Sequence, residues 1–175
     1  MKIIPQIIGA IALLFMFFSY QKKNKKDFLF LQVFANIFFA IQYFFLNAFS
    51  ACISAIISTI KTVVFYKYEE NNKKLSLFIL GLFLLVYVLC GIFTYDNLYS
   101  IIPIFIACLF TYATWQKNLK LTYSIGVFVS ILWIYYNYLV GAYVSIIGSC
   151  FELFSSSLGL INLIKVNKKS QKKES

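Results

Sequence analysis

The chain has 175 residues, of which 61% are hydrophobic, 20% aromatic and 13% charged. Soluble domains are closer to half apolar and a quarter charged, so this composition excludes a soluble globular domain. Each membrane-crossing helix needs about 20 mostly apolar residues, and seven such helices would use roughly 140 residues and leave about 35 for loops and tails. The net charge of +10 does not indicate a nucleic-acid partner, because the lysines lie in short clusters between apolar runs.

Nothing in the sequence indicates catalysis, a cofactor or a metal site. The chain has no histidine, which removes the commonest metal ligand and the usual general base near neutral pH. Its four cysteines lie far apart inside apolar runs, without CxxC spacing. Glycine-rich phosphate-binding motifs and the GxSxG nucleophile motif do not occur. We therefore expect no enzyme, no cofactor and no bound metal.

Seven apolar runs follow one another along the chain, and each has the length of a transmembrane helix. The predicted spans are residues 3–20, 28–46, 50–67, 75–94, 99–115, 121–140 and 143–164. The first run is predicted to be a retained helix, because no small-residue cleavage site closes it as in a signal peptide. The lysine-rich tail, residues 165–175, has too few apolar residues to fold alone.

Lysines are distributed very unequally between the two sides of the predicted helices. If seven helices alternate in direction, fourteen of the sixteen lysines lie in the loops and tail of one side, and only Lys2 lies on the other. Lysine-rich short loops stay in the cytoplasm. The pattern therefore predicts an N-terminus outside and a C-terminus inside.

An internal repeat is predicted from a shift of 94 residues, which superimposes residues 28–68 on 122–162 without a gap. Identical pairs are Val33 and Val127, Phe34 and Phe128, Ile37 and Ile131, Ala48 and Ala142, and Ile53 and Ile147. The prediction is a 3+1+3 parallel repeat: a first three-helix bundle (1–70), a loop and linker helix (71–97), a second bundle (98–164) and a basic cytoplasmic tail (165–175). In transporters built from parallel repeats, sites form near the membrane midplane between the halves.

This all-α architecture resembles that of the SWEET sugar transporters and their PQ-loop relatives. A set of motifs extends over nearly the whole chain: Gln6-x-x-Gly9-x-x-Ala12, the Phe39–Tyr43 helix, the Ala48–Ala51 turn, Lys61 and Glu152. In these residues the sequence more closely resembles the YgjV family of bacterial inner-membrane proteins. This resemblance implies a multi-pass protein of the bacterial inner membrane. SWEET-type proteins carry hinge prolines in both bundles, whereas this chain has only Pro5 and Pro103, and Pro103 reads as either an early-turn proline or a kink.

Polar and small residues in the predicted spans recur at three- and four-residue steps, which is the spacing of one helix face. We expect these faces to line a central cavity that binds a small polar solute. The candidate binding residues are Asn36, Ser58, Lys61, Ser130, Trp133, Asn137 and Glu152. The alternative is helix packing, in which small residues allow close approach and serines form hydrogen bonds across helices.

Lys61 and Glu152 lie well inside the predicted spans, and charges near the bilayer centre usually face the bundle interior and serve function. A Lys61–Glu152 pair across the two halves is geometrically reasonable. It would be either a static pair that pins the halves together, a polar contact to substrate, or a carboxylate whose protonation couples to opening.

Three functional interpretations follow from these residues. The first is a transporter or facilitator of small neutral solutes such as sugars, with Trp133 stacking on an apolar sugar face. The second is a non-transporting membrane scaffold or receptor, whose basic tail contacts partners or anionic lipid. The third is a membrane enzyme with Glu152 as its acid/base. The expected partners are the lipid bilayer and a small polar solute, and homo-oligomerisation is left open.

Overall fold

A computed structural model describes residues 3–20, 25–71, 75–115 and 119–174 of the protein. Within these ranges every regular element is helical. The helices are α1 (Ile3–Tyr20), α2 (Lys25–Phe45), α3 (Phe49–Glu70), α4 (Leu77–Phe93), α5 (Ile101–Trp115), α6 (Leu119–Val140) and α7 (Tyr143–Glu174), and a 3₁₀ turn, Leu98–Ser100, precedes α5.

The predicted spans and the observed helices agree in number and order across the described residues, and they differ mainly at the ends. The largest difference is at α7, which continues to Glu174, ten residues beyond the predicted end at residue 164. Lysine, glutamine and glutamate are good helix formers, and extending an existing helix requires no new nucleation. Most of the tail therefore continues α7. Lys2, Lys22, Lys23, Lys73, Lys74 and Lys117, on which the predicted sidedness partly rests, lie outside the described residues.

Five of the described helical segments are long and apolar enough to cross a membrane: those of α2, α3, α5 with its preceding turn, α6 and α7. The apolar helices α1 and α4 are shorter. Large apolar side chains such as Phe78 and Phe93 are exposed on the outer surface, whereas polar side chains such as Gln42, Thr111 and Asn137 are buried. This distribution is the reverse of that in a water-soluble protein, because lipid is the outer solvent.

Six helices form a closed ring. Each of the pairs α1–α2, α2–α3, α3–α5, α5–α6, α6–α7 and α7–α1 is in contact. The remaining helix, α4, packs outside the ring against α3 and α5. Its Phe83 and Tyr87 are buried in a cluster with Ile57 and Phe65 of α3 and Ile104 of α5.

The turns α2–α3 and α6–α7 have the same backbone hydrogen bonds. Asn47 (φ 59°) and Gly141 (φ 73°) adopt left-handed backbone conformations, which asparagine and glycine tolerate best. The next residue in each turn, Ala48 or Ala142, donates its N–H to the carbonyl five residues earlier, at 2.9 Å in both cases. Both turns are therefore Schellman motifs. We call the end of the ring that carries them the short-turn end, and the opposite end, where α2 begins and α3 ends, the lysine end.

The odd-numbered ring helices all begin at the short-turn end. Near the start of α3, the hydroxyl of Ser54 donates to the carbonyl of Pro103 near the start of α5, at 3.4 Å. Pro103 is the third residue of α5 and is buried there. It is therefore an early-turn proline, the first of the two alternatives left open by the sequence.

Candidate functional site

A cavity of about 130 Å³ lies inside the ring. At roughly 10–15 Å³ per water, this space would hold about ten water molecules, or a solute of about ten non-hydrogen atoms. All six ring helices contribute to its wall. The lining residues are Leu13 and Met16 of α1; Gln32, Asn36, Phe39 and Tyr43 of α2; Ser54, Ala55, Ser58 and Lys61 of α3; Ile106, Ala107 and Phe110 of α5; Val129, Trp133 and Asn137 of α6; and Ser145, Gly148, Ser149 and Glu152 of α7.

A hydrogen bond between α2 and α6 closes the wall towards the short-turn end. Tyr43 donates from Oη to Oδ1 of Asn137 at 2.7 Å, and both side chains are buried. Asn137 donates in turn from Nδ2 to the hydroxyl of Ser149 at 3.4 Å. The ring of Trp133 stacks on that of Tyr43, with centroids 6.0 Å apart and planes 13° apart. One face of the predicted sugar-stacking residue is therefore taken by a protein ring.

Lys61 is buried, with only 5% of its surface exposed. Its Nζ donates to the hydroxyl of Thr111 on α5 at 3.2 Å and lies 5.5 Å from the centre of the Phe110 ring. A cation over an aromatic face is stabilised by the ring's quadrupole. These contacts hold the ammonium group at the α3–α5 wall of the cavity.

Glu152 lines the same cavity from α7 and is half-buried. The expected Lys61–Glu152 ion pair is absent between these two described residues, whereas Lys26 and Glu70 form an ion pair at the lysine end, at 2.7 Å. Lys61 instead donates to Thr111 on the neighbouring helix α5, and Glu152 lines the cavity from α7 without an ion-pair partner among the described residues.

The other predicted site residues divide into those on the cavity wall and one outside it. Asn36 lines the cavity and donates from Nδ2 to the hydroxyl of Thr62 at 3.3 Å. Ser58 also lines it and shares a 2.7 Å hydrogen bond with the hydroxyl of Tyr87 on α4. Ser130 is buried away from the cavity, and its hydroxyl donates to the carbonyl of Gly126 one turn earlier, at 2.8 Å. Six of the seven predicted residues therefore share one cavity.

A family model described as Imp-YgjV, bacterial inner membrane protein, matches residues 3–170. The chain belongs to the Imp-YgjV family. It is accordingly a multi-pass protein of the bacterial inner membrane, in agreement with the five long apolar segments. No curated protein and no solved structure matches the chain.

Residues that carried the resemblance to the Imp-YgjV family connect α1 to the rest of the ring. Gln6 donates from Nε2 to the carbonyl of Gly141 at 2.8 Å and accepts from the N–H of Val144 at 3.1 Å. Gly9 faces Gln42 so closely that a Cβ would overlap the amide of that side chain. Gln42 in turn accepts a 2.7 Å hydrogen bond from the hydroxyl of Ser145. This network ties α1 and α2 to the α6–α7 turn.

Sequence reasoning missed the contributions of α1 and α5 to the cavity. Leu13, Met16 and Phe110 line it, yet their apolar side chains are indistinguishable in sequence from the many that face lipid. The signal was present for Tyr43 and Ser149, because both lie on the polar helix faces spaced at three- and four-residue steps.

Proposed function

We propose that this protein carries a small polar solute across the bacterial inner membrane, as a transporter or facilitator, without catalysing a reaction. The observation that carries the proposal is a cavity between six apolar helices whose wall, although largely apolar, carries polar and charged side chains such as Asn137, Lys61 and Glu152. Polar and charged groups are expensive inside a membrane and are kept there mainly for pathways and binding sites. Hydroxyl, amide and aromatic side chains on part of the wall are of the kinds that can contact a sugar-like solute.

The proposal includes a 3+1+3 repeat in which α1–α3 and α5–α7 are equivalent halves and α4 is the linker. The contacts in the ring support it, since α1–α2 corresponds to α5–α6, α2–α3 to α6–α7, and α7–α1 to α3–α5. The two Schellman turns support it further, because Asn47 and Gly141 are 94 residues apart. In such a repeat the cavity lies between the halves, where relative rotation would expose it to either side.

The proposed orientation has the N-terminus outside and the C-terminus inside. Lys26 at the start of α2 and Lys67 near the end of α3 lie together at the lysine end, which agrees with a cytoplasmic location for that end. A reporter fused to the C-terminus should therefore be active only in the cytoplasm. Activity of a C-terminal reporter in the periplasm would instead show the opposite orientation.

A second candidate is a non-transporting scaffold or receptor. It is favoured by the hydrogen bonds that join the halves at the short-turn end, because Tyr43–Asn137, Gln42–Ser145 and Gln6–Gly141 would serve packing equally well. In that case the cavity would be a consequence of packing and would admit no solute from outside.

Solute permeation in proteoliposomes distinguishes the two candidates. Vesicles with purified protein are exposed to osmotic gradients of glucose, glycerol or L-leucine, and swelling is followed by stopped-flow light scattering. We expect at least one solute to enter faster than into empty liposomes, and Asn137→Ala to remove the difference. Tyr138→Ala is the matched control, because Tyr138 is exposed on the same helix. Equal rates with and without protein for all three solutes would favour the scaffold.

Cysteine labelling tests solute access without knowledge of the substrate. In a protein whose four native cysteines are replaced by alanine, Glu152→Cys is treated with a small, membrane-impermeant, water-soluble thiol reagent. We expect it to react, because Glu152 lines the cavity. The neighbouring control Phe151→Cys faces outward, with 67% of the native side chain exposed, and should remain unlabelled in lipid. A cavity closed to water on both sides would leave both variants unlabelled.

A further inference from the structure

Two opposite charges stand on opposite walls of the cavity and do not neutralise each other. Lys61 belongs to α3 and Glu152 to α7, and these helices are diametrically placed in the ring. The ammonium is anchored at Thr111, which follows the first residue of α5 by ten positions, or ~15 Å of helix. Glu152 follows the first residue of α7 by nine positions, or ~14 Å. Counted along its own helix, Lys61 follows the first residue of α3 by twelve positions, so the two side chains originate within about one helical turn of the same depth.

Both groups have unused hydrogen-bonding capacity. The ammonium of Lys61 has three donors, and one of them reaches Thr111. The carboxylate of Glu152 makes no hydrogen bond or ion pair with any other residue in the described part of the chain. A carboxylate accepts about four hydrogen bonds, and its charged form in a membrane interior is favoured by a partner or water. A bound molecule or water could therefore supply partners to both groups.

We propose that the solute bound in this cavity is zwitterionic, such as a small amino acid or a betaine. This inference rests on the transport function proposed above and names its substrate class. The anionic group of the solute pairs with Lys61, and its cationic group pairs with Glu152, so both protein charges are compensated in one binding event. A neutral sugar would leave both without an ionic partner, and a simple cation or anion would leave one. The apolar wall, including Met16 and Phe110, accommodates an aliphatic side chain.

Binding of four matched probes to the purified full-length protein in lipid nanodiscs tests the inference. The probes are L-leucine, L-leucinamide, 4-methylpentanoate and D-glucose, which are zwitterionic, cationic, anionic and uncharged, respectively. Glycine betaine and L-alanine extend the zwitterionic set to smaller sizes. Affinities are measured by calorimetry. We expect at least one zwitterion to bind tenfold or more tightly than the cation, the anion and glucose. Failure of all three zwitterions to do so would overturn the inference.

Variants of Lys61 and Glu152 test which residue recognises which charged group of the solute. In Lys61→Met, the tenfold preference for L-leucine over L-leucinamide should disappear, because the group that recognises the carboxylate is gone. In Glu152→Gln, the preference over 4-methylpentanoate should disappear instead. Lys67→Met, at an exposed position on the same helix, should leave both preferences unchanged. The assignment would be contradicted if Lys67→Met lost both preferences. It would also be contradicted if Lys61→Met and Glu152→Gln each kept both of them.

A charge exchange provides a check that does not depend on either single variant. The double variant Lys61→Glu/Glu152→Lys keeps one charge of each sign, so a zwitterion can bind in the reversed direction. It should bind L-leucine at least tenfold more tightly than Lys61→Glu alone. Glucose binding that equals L-leucine binding and is unchanged in Lys61→Met would refute the zwitterionic substrate while leaving solute transport intact. Absence of labelling at Glu152→Cys would instead remove the proposed transport itself.

Discussion

Tyr43 donates a 2.7 Å hydrogen bond to Asn137, the residue 94 positions further along the chain. The backbone carbonyls of the same two residues accept the hydrogen bonds that close the two Schellman turns, from Ala48 and Ala142. Each residue therefore closes its own turn with its backbone and contacts its counterpart with its side chain. Near the two turns, α2 and α3 are joined to α6 and α7 by this bond, by the hydrogen bond from Ser145 to Gln42 and by the contact between the hydroxyls of Ser50 and Tyr136.

Removal of the Tyr43 hydroxyl should destabilise the protein. Tyr43→Phe retains the ring that stacks on Trp133 but leaves the buried Oδ1 of Asn137 without its donor. Hydrogen bonds between membrane helices contribute on average about 0.6 kcal/mol, with a maximum near 1.7, and we expect a loss in that range. Thermal unfolding in detergent measures it. Tyr138→Phe, at an exposed position on α6, should have no effect, and an equal effect in both variants would contradict the assignment.

Gly9 is needed for the close approach of α1 and α2, and Gly81 on α4, which has free space around it, provides the control position. Gly9→Ala introduces a Cβ that overlaps the Gln42 amide, which the hydroxyl of Ser145 already holds in place. Overpacking of this kind typically costs about 1–3 kcal/mol. Gly81→Ala on α4 meets no atom within 4 Å, so its free energy of unfolding should be unchanged or slightly raised. The unfolding temperatures of the two variants are compared with that of the wild type. An unchanged unfolding temperature in Gly9→Ala would contradict the close contact between Gly9 and Gln42.

Replacement of Lys61 by an apolar residue should stabilise the protein. Lys61→Met removes a charge whose insertion near the bilayer centre costs about 2.5–3.5 kcal/mol, at the loss of one hydrogen bond of about 1 kcal/mol. Its acceptor, the Thr111 hydroxyl, keeps its own 2.6 Å bond to the carbonyl of Ala107. We expect a gain of roughly 1–3 kcal/mol in unfolding free energy. A decrease would mean that the ammonium group supports packing. Lys67→Met should change stability little, because Lys67 is exposed.

Gln6 should control local opening of the α6–α7 turn. Gln6→Leu removes both of its hydrogen bonds, to the Gly141 carbonyl and from the Val144 N–H. We expect a stability loss of about 1–3 kcal/mol, because two partly buried backbone groups lose their partners. Hydrogen exchange of the Val144 amide should accelerate, while that of amides in the middle of α3 should follow only the global stability. Unchanged protection at Val144 would be incompatible with this role.

The helices were predictable from sequence because a bilayer requires continuous apolar runs of defined length. The end of α7 was not, because the transition from apolar to lysine-rich sequence at residue 164 marks a change of solvent and does not stop a helix. Asn47 and Gly141 could be recognised as turn residues, since few residue types tolerate a left-handed backbone. Their identical hydrogen bonds could not.

The candidate site was predictable in part, for a related reason. Polar residues such as Asn36, Asn137 and Glu152 are conspicuous in a membrane helix, and all three line the cavity. Ser130 has the same polarity, but its hydroxyl bonds within its own helix, which helix-face spacing does not reveal. The sequence alone does not identify Met16 and Phe110 as lining residues, because an apolar side chain is compatible with both lipid and a cavity wall.

The sequence by itself determined that this chain is a membrane protein with seven successive apolar helices, because lipid as a solvent imposes length and composition on every crossing segment. Only the tertiary structure decided which residues meet. Sequence reasoning paired Lys61 with Glu152 on charge and depth in the membrane, whereas in the structure Lys61 donates to Thr111 on the adjacent helix α5 and Glu152 lines the same cavity from α7. Helix neighbours depend on how whole surfaces pack, and that information is not local to any stretch of the chain.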